Sequence, residues 1–156
     1  MKANDLWLEQ TDRDEQILEA AERILRRKLE RHGKITDPTS SAAYLRAHCA
    51  YRDREIFGCV FLDTRHAILA VEDLFFGTVD SAEVHPREIV KRALLLNAAA
   101  VIAFHNHPSG NPEPSAADRA ITTRIKQALE LVEVRLLDHI VVGADGTASL
   151  ALRGWV

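Results

Sequence analysis

Cysteine is scarce in this chain of 156 residues. The two present, Cys49 and Cys59, form neither a CxxC pair nor a disulfide framework, so reduced thiols and a cytoplasmic setting are expected. Long hydrophobic runs are also missing. The nearest, Ala98 to Phe104, falls far short of the roughly 18 residues that a membrane-spanning helix needs. The N-terminal stretch MKANDLWLEQTDRDEQ is polar and acidic and carries no mark of a signal or transit peptide. Positive charge is not in excess: 20 Lys and Arg against 23 Asp and Glu leave a formal net charge of −3. A dominant contact with a phosphate backbone needs a concentrated basic face, and only Arg23, Arg26, Arg27, Lys28 and Arg31 cluster in that way. On a helix such a cluster reads first as a solvated face and second as nucleic-acid contact. There is no internal repeat and no low-complexity tract. What remains suits one compact domain with a true core, since 47% of the residues are apolar.

The apolar pattern gives an order of elements. Asp12 followed by Glu15 reads as a capping pair opening a helix, with Ile17, Ala21, Ile24, Leu25 and Leu29 at helical spacing and Gly33 at its end. KITDPTSS is a linker, and a second helix is predicted from Ala42 to Cys49. EIFGCVFLD is a buried strand, Asp63 to His66 a turn, and AILAVEDLFFG an antiparallel partner strand. A helix starts near Pro86 with Ile89, Val90, Ala93, Leu94 and Leu96 as its apolar stripe. AAVIAFHNH is a strand. Ser115 opens a further helix with Ile121, Ile125, Leu129 and Val132 on one face. VRLLDHIVVG is a strand, GADG a turn and TASLAL a closing strand. Together these make an α/β protein with a mixed sheet and packed helices.

The chemistry concentrates in HNHPSGNPEPSAAD, residues His105 to Asp118. Residues two apart on a strand project to one side, so His105 and His107 can present two imidazoles to one metal. The loop PSGNPEP can return the chain so that Asp118, on the first turn of the next helix, reaches the same point. Two histidines and a carboxylate leave a fourth position free on zinc, which is the catalytic rather than the structural pattern. Ser115 and Asp118 also have a plain structural reading as an N-cap with an acid at N3. A metal-activated water needs a base that is not itself a ligand, and Glu55, Glu72, Glu83 and Glu88 are candidates. Spacing does not choose among them, although placement at a strand favours Glu55. His139, beside Asp138 within a strand, reads as a hydrogen-bonded core residue or one behind a ligand. His32, His48 and His66 read as surface or turn residues, and His85 as a cap for the helix at Pro86. The letters H-N-H do not mark an HNH nuclease, whose three residues come from well-separated positions.

The spacing H-x-H-x7-S-x-x-D, with a glutamate on a strand upstream, resembles the JAMM (MPN+) zinc metalloprotease motif. REIFGCVFLD, LFFGTVDSAEVHPREIVKRALLLNAAAVIAFHNHPSGNPEPSAADRAIT and LLDHIVVG together resemble the RadC family, from about Asp53 to the C-terminus. The resemblance implies an α/β fold with a mixed, mostly antiparallel sheet and flanking helices, JAMM/MPN-like with cytidine deaminase-like layering. It divides the chain into an N-terminal helical segment, residues 1–33, and a RadC-like JAMM/MPN domain, residues 34–156. It implies zinc (Zn2+) held by His105, His107 and Asp118, Glu55 as general base, and Ser115 as the polar partner of the reacting carbonyl. The implied activity is zinc-dependent hydrolysis of a peptide or isopeptide bond in a peptide or protein substrate. The alternative is a DNA-repair or mobile-element accessory protein whose metal site is structural or vestigial. Longer RadC proteins carry a helix-hairpin-helix-like segment associated with DNA, which the region before Lys34 does not match. The chain resembles the short RadC-like proteins often found in prophage and other mobile elements. DNA association is therefore expected to be weak, no membrane is expected as a partner, and a homodimer is allowed.

Overall fold

A computed structural model of the chain describes residues 3–31, 38–77 and 82–156, with side chains described for 10–28, 40–77 and 82–156. The first helix, α1, covers Ala3–Arg31 and so begins well before Asp12. No glycine or proline interrupts this stretch, so nothing stops the helix from extending, and Asp12 and Glu15 lie inside it rather than capping it. Gly33 lies outside the described residues. The predicted α1 stripe is met only in part. Ile17 and Ile24 are 59% and 51% exposed, while Leu25 packs on the core. Helix α2, Pro38–Cys49, starts earlier than Ala42, because Pro38 is well suited to a first helical turn. The rest of the predicted linker, 34–37, is outside the described residues.

Five strands follow the expected order with helices between them. They are β1 Ile56–Leu62, β2 Ile68–Phe76, β3 Ala100–Asn106, β4 Arg135–Gly143 and β5 Gly146–Ser149. Helix α3 is Pro86–Leu95 and α4 is Ala116–Glu130. The sheet runs β2-β1-β3-β4-β5. Every neighbouring pair is antiparallel except β3 and β4, which are parallel and joined through α4. The fold is thus mixed α/β with a mostly antiparallel open sheet. TASLAL is strand only as far as Ser149: Leu150 is buried, but Ala151 and Leu152 turn away.

β1 and β3 are buried at every position, because both faces of the sheet are covered. Alternation sorts their side chains into two cores. Val60, Leu62, Ile102 and Phe104 meet Tyr44 and Leu45 of α2 on one face. Phe57, Cys59, Phe61, Val101 and Ala103 meet Ile89 and Ala93 of α3 and Ile125 and Leu129 of α4 on the other. Leu94, predicted in the α3 stripe, is 53% exposed instead. The parity matters for function: His105 continues the odd-numbered row of β3, so the fold aims it at the α4 side. Among the described residues, no helix is long and apolar enough to cross a membrane.

Candidate metal centre

β3 ends beneath the N-terminus of α4, and His105, His107 and Asp118 converge there. The three offer donor atoms that all lie within 4.8 Å of one another. The two Nε2 atoms of His105 and His107 are 3.0 Å apart. His105 Nε2 lies 3.2 Å from Asp118 Oδ1, and His107 Nε2 lies 3.3 Å from Asp118 Oδ2. His105 is 1% exposed, and its ring stacks on Phe57 at 5.9 Å between centroids. Burial opposes the charge on Asp118, but hydrogen bonds from His105 and His107 outweigh it and hold the carboxyl far below its ordinary pKa. The hydrogen bond to Asp118 raises the pKa of His107 in return, against the effect of its burial.

The loop between His107 and Ser115 is pinned by backbone. His107 N–H donates to the Val142 carbonyl at 2.7 Å, and Gly110 N–H donates to the His107 carbonyl at 2.9 Å. Gly110 has φ +92°, a region where a side chain is strained. His107 Nδ1 meets the Asn111 carbonyl at 2.9 Å, which as an acceptor requires the ring proton on Nδ1 and leaves Nε2 to face the cluster.

Ser115 is the N-cap of α4. Its Oγ accepts from Asp118 N–H at 3.1 Å, and its own N–H donates to Asp118 Oδ2 at 2.7 Å. The capping box and the cluster therefore share one carboxylate: the helix start fixes Asp118 in place, and the same oxygens face the imidazoles. The capping box does not use the proton of the serine hydroxyl.

Glu55 sits just before β1, and its Oε1 accepts from Ala82 N–H at 3.3 Å. Burial raises its pKa above that of an ordinary glutamate, a shift only partly offset by the nearby His105 and the Ala82 amide. The other glutamates differ. Glu72 forms a two-point ion pair with Arg92, with Arg92 Nε 2.7 Å from Oε2. Glu83 lines the same cleft but its side chain is 87% exposed, and Glu88 is exposed on the first turn of α3. A cleft of about 520 Å³ opens over the cluster, lined by Glu55, Phe57, His107, Ser115, Asp118 and Arg124 among others.

Two sequence readings of histidines change. His48 is not a surface residue: its ring lies between Glu22 of α1 (3.0 Å from Nδ1) and Asp73 of β2 (2.7 Å from Nε2). Both partners are distant in sequence, which is why spacing does not disclose them. His85 stands at the N-cap of α3 but makes no capping bond with its side chain. His139 is fully buried behind His105, as a hydrogen-bonded core residue would be.

Sequence reasoning passed over Asn106 and Thr122. Asn106 is fully buried on the opposite face from the histidines, where it accepts from Ile56 N–H at 2.7 Å and donates to the Arg54 carbonyl at 2.9 Å. These two bonds bracket Glu55. An asparagine at the end of an otherwise apolar strand was the available signal, since a buried amide needs such partners. Thr122 reads in the sequence as one polar residue of an amphipathic helix. It touches His139 on the buried side of α4.

Comparison with known proteins agrees with this architecture. The family described as RadC-like JAB domain matches residues 35–155. A UPF0758 protein of Xanthomonas campestris pv. campestris is 57% identical over 139 residues, covering 89% of this chain and 62% of that protein. A UPF0758 protein of Xanthomonas oryzae pv. oryzae is 55% identical over 139 residues with the same coverage. One from Ectopseudomonas mendocina is 52% identical over 140 residues, covering 90% of this chain and 62% of its own length. The chain thus spans about three fifths of the length of these relatives. With the match running through both sheet faces and the whole His-His-Asp loop, the chain belongs to the RadC-like JAB domain family.

Proposed function

We propose that this protein is a zinc-dependent hydrolase of peptide or isopeptide bonds. One observation carries the reading: a two-histidine, one-carboxylate donor cluster shares a cleft with a separate glutamate whose burial favours proton uptake. The donor set fits zinc. With Zn–N and Zn–O distances of roughly 2.0–2.1 Å, tetrahedral donors stand about 3.3 Å apart. Here the two Nε2 atoms are 3.0 Å apart, and Asp118 turns a different carboxylate oxygen to each, 3.2 Å from His105 and 3.3 Å from His107, with one donor atom per residue lying within 4.8 Å of the others. His105, His107 and Asp118 would hold the ion, and no cysteine competes as a softer ligand.

Zinc bound there would supply Lewis acidity, polarising a carbonyl and lowering the pKa of a coordinated water. Glu55 would take the proton from the attacking water and deliver it to the leaving amine. Its raised pKa suits both halves of that task, because an ordinary glutamate is a weaker base at neutral pH. The Ser115 hydroxyl would donate to the developing oxyanion from its place at the start of α4. Phe57, Val84 and Ile121 give the cleft an apolar wall for a peptide or protein substrate, with Arg124 as a cation at its margin.

The test combines metal analysis with an unbiased peptide and isopeptide cleavage screen on wild type and Glu55→Gln. The expected outcome is cleavage by the zinc-loaded wild type and a loss of about 10²–10⁴-fold in the variant, the scale of one general base. Zinc content and melting temperature should be unchanged. Absence of any cleavage by the zinc-loaded wild type, or equal turnover by the variant, contradicts the reading.

A further inference from the structure

Behind the cluster, on its buried side, four groups form a hydrogen-bonded chain. His105 Nδ1 is 2.8 Å from His139 Nε2. His139 Nδ1 is 2.5 Å from Thr122 Oγ1. Thr122 Oγ1 donates to the Asp118 carbonyl oxygen at 2.6 Å. His105, Thr122 and His139 are all buried, with exposures of 1%, 0% and 0%. No solvent reaches the chain to supply or remove a proton at its middle.

The direction of the protons follows from what each end can do. A backbone carbonyl only accepts, so the single hydroxyl proton of Thr122 points to Asp118 O. Thr122 Oγ1 must then accept from His139, which places the His139 proton on Nδ1. A neutral imidazole has one proton, so His139 Nε2 is bare and accepts from His105. The two nitrogens of His139 face the Thr122 hydroxyl and the His105 imidazole, neither of them an anion that would hold a second proton there. His105 therefore carries a proton on Nδ1, so that Nε2, which faces His107 and Asp118, is the nitrogen left to ligate a metal. Were the Thr122 hydroxyl to turn and donate to His139 Nδ1, every proton would shift the other way. His105 would then hold a proton on Nε2, the atom nearest Asp118, and could not ligate a metal.

We propose that Thr122 and His139 are positioning residues that set the tautomer of His105 and so hold the cluster in its metal-binding form. The inference rests on the proposed metal site. An irregularity of the fold serves it: the β3–β4 register pairs Val101 with Leu136 but Ile102 with Asp138, so Leu137 is an extra residue in β4. Without that bulge the alternation of β4 would turn Asp138, rather than His139, toward the α4 face that His105 occupies. Asp138 instead accepts from Ser149 Oγ at 2.6 Å and from Ala151 N–H at 2.9 Å. The helix phase agrees, since Thr122 stands one turn after Asp118 and so faces the same buried side.

The experiment uses nitrogen NMR of histidine-labelled full chain to read the His139 tautomer, with and without zinc. Zinc affinity is measured by competition with a chromophoric chelator. Three proteins are compared: wild type, Thr122→Val and Thr122→Ser. Wild type should show His139 protonated on Nδ1 in both states. Thr122→Val keeps the shape but lacks the acceptor, so it should move the proton toward Nε2 and weaken zinc binding about 10–100-fold. Thr122→Ser restores the hydroxyl and should restore both readings. A purely packing role for Thr122 predicts the reverse order, with the isosteric valine the milder change. A wild-type His139 protonated on Nε2, or wild-type zinc affinity in Thr122→Val, overturns the proposal. Should wild type take up no zinc at all, it is the metal reading that fails, and the His139 tautomer in the zinc-free protein still decides the direction of the chain.

Discussion

At the scale of single residues, Ser115 separates structure from chemistry most sharply. It caps α4 and also lines the cleft. Glycine is a tolerable N-cap and costs only a few tenths of a kcal/mol in place of serine. Ser115→Gly should therefore melt almost like wild type and keep its metal, yet lose about 10²–10³ in kcat if the hydroxyl supports the oxyanion. Steady-state kinetics beside a thermal melt decide the matter, and full turnover by the folded variant would leave Ser115 as a cap alone. The residues around it were unequally legible. His105, His107 and Asp118 could be grouped from the sequence because a strand end, a tight loop and a helix start have fixed local geometry. Spacing alone did not set Glu55 apart from Glu72, whose ion pair is with Arg92, 20 residues away in the chain. Asn106, Thr122 and the neighbours of His48 were not legible for the same reason: their roles are contacts between distant elements.

At the scale of elements, the loop after His107 depends on β4 presenting no side chain at Gly143. A Cβ there would collide with the Gly110 carbonyl oxygen and lie 2.6 Å from its carbon. Gly143→Ala should push the loop off β4 and destabilise the fold by about 1–3 kcal/mol, as overpacking does. It should also weaken metal binding, since the neighbouring Val142 carbonyl holds His107 N–H. Thermal melts and zinc titration of the variant check this, and wild-type values in both would sink it. The seam between α1, α2 and β2 carries a pH dependence. Burial lowers the His48 pKa, but Asp73 and then Glu22 outweigh it and leave it above the ordinary 6.5. A histidine raised in this way stabilises the fold fully below its unfolded pKa and loses that contribution as pH rises through the folded value. The melting temperature should thus fall as pH is taken upward beyond about 6.5. His48→Gln should flatten the slope, whereas identical slopes for both proteins would place the effect elsewhere. The strands were predicted well because dense apolar runs between charges admit few other readings. The start of α1 was not, because a helix without glycine or proline has no internal mark of where it begins.

At the scale of the whole molecule, the sheet is covered on both faces, and the family match runs through the domain that carries the cluster. The net charge of −3 and a basic group confined to one helix argue that binding to duplex DNA is weak and fades quickly with salt. Fluorescence anisotropy should show this; submicromolar binding at physiological salt, lost on neutralising Arg23 and Arg27, would favour a DNA-associated role instead. The ordering of the sheet brings Glu55 from one strand end beside a cluster assembled about 50 residues later, and the proposed activity depends on that meeting. Calorimetric titration of the metal-stripped protein with zinc probes it directly. Wild type and Glu55→Gln should each bind one zinc per chain with similar affinity, and His107→Ala should bind none at that site. Equal zinc uptake by His107→Ala, or loss of zinc from Glu55→Gln, would contradict the assignment of ligands and base.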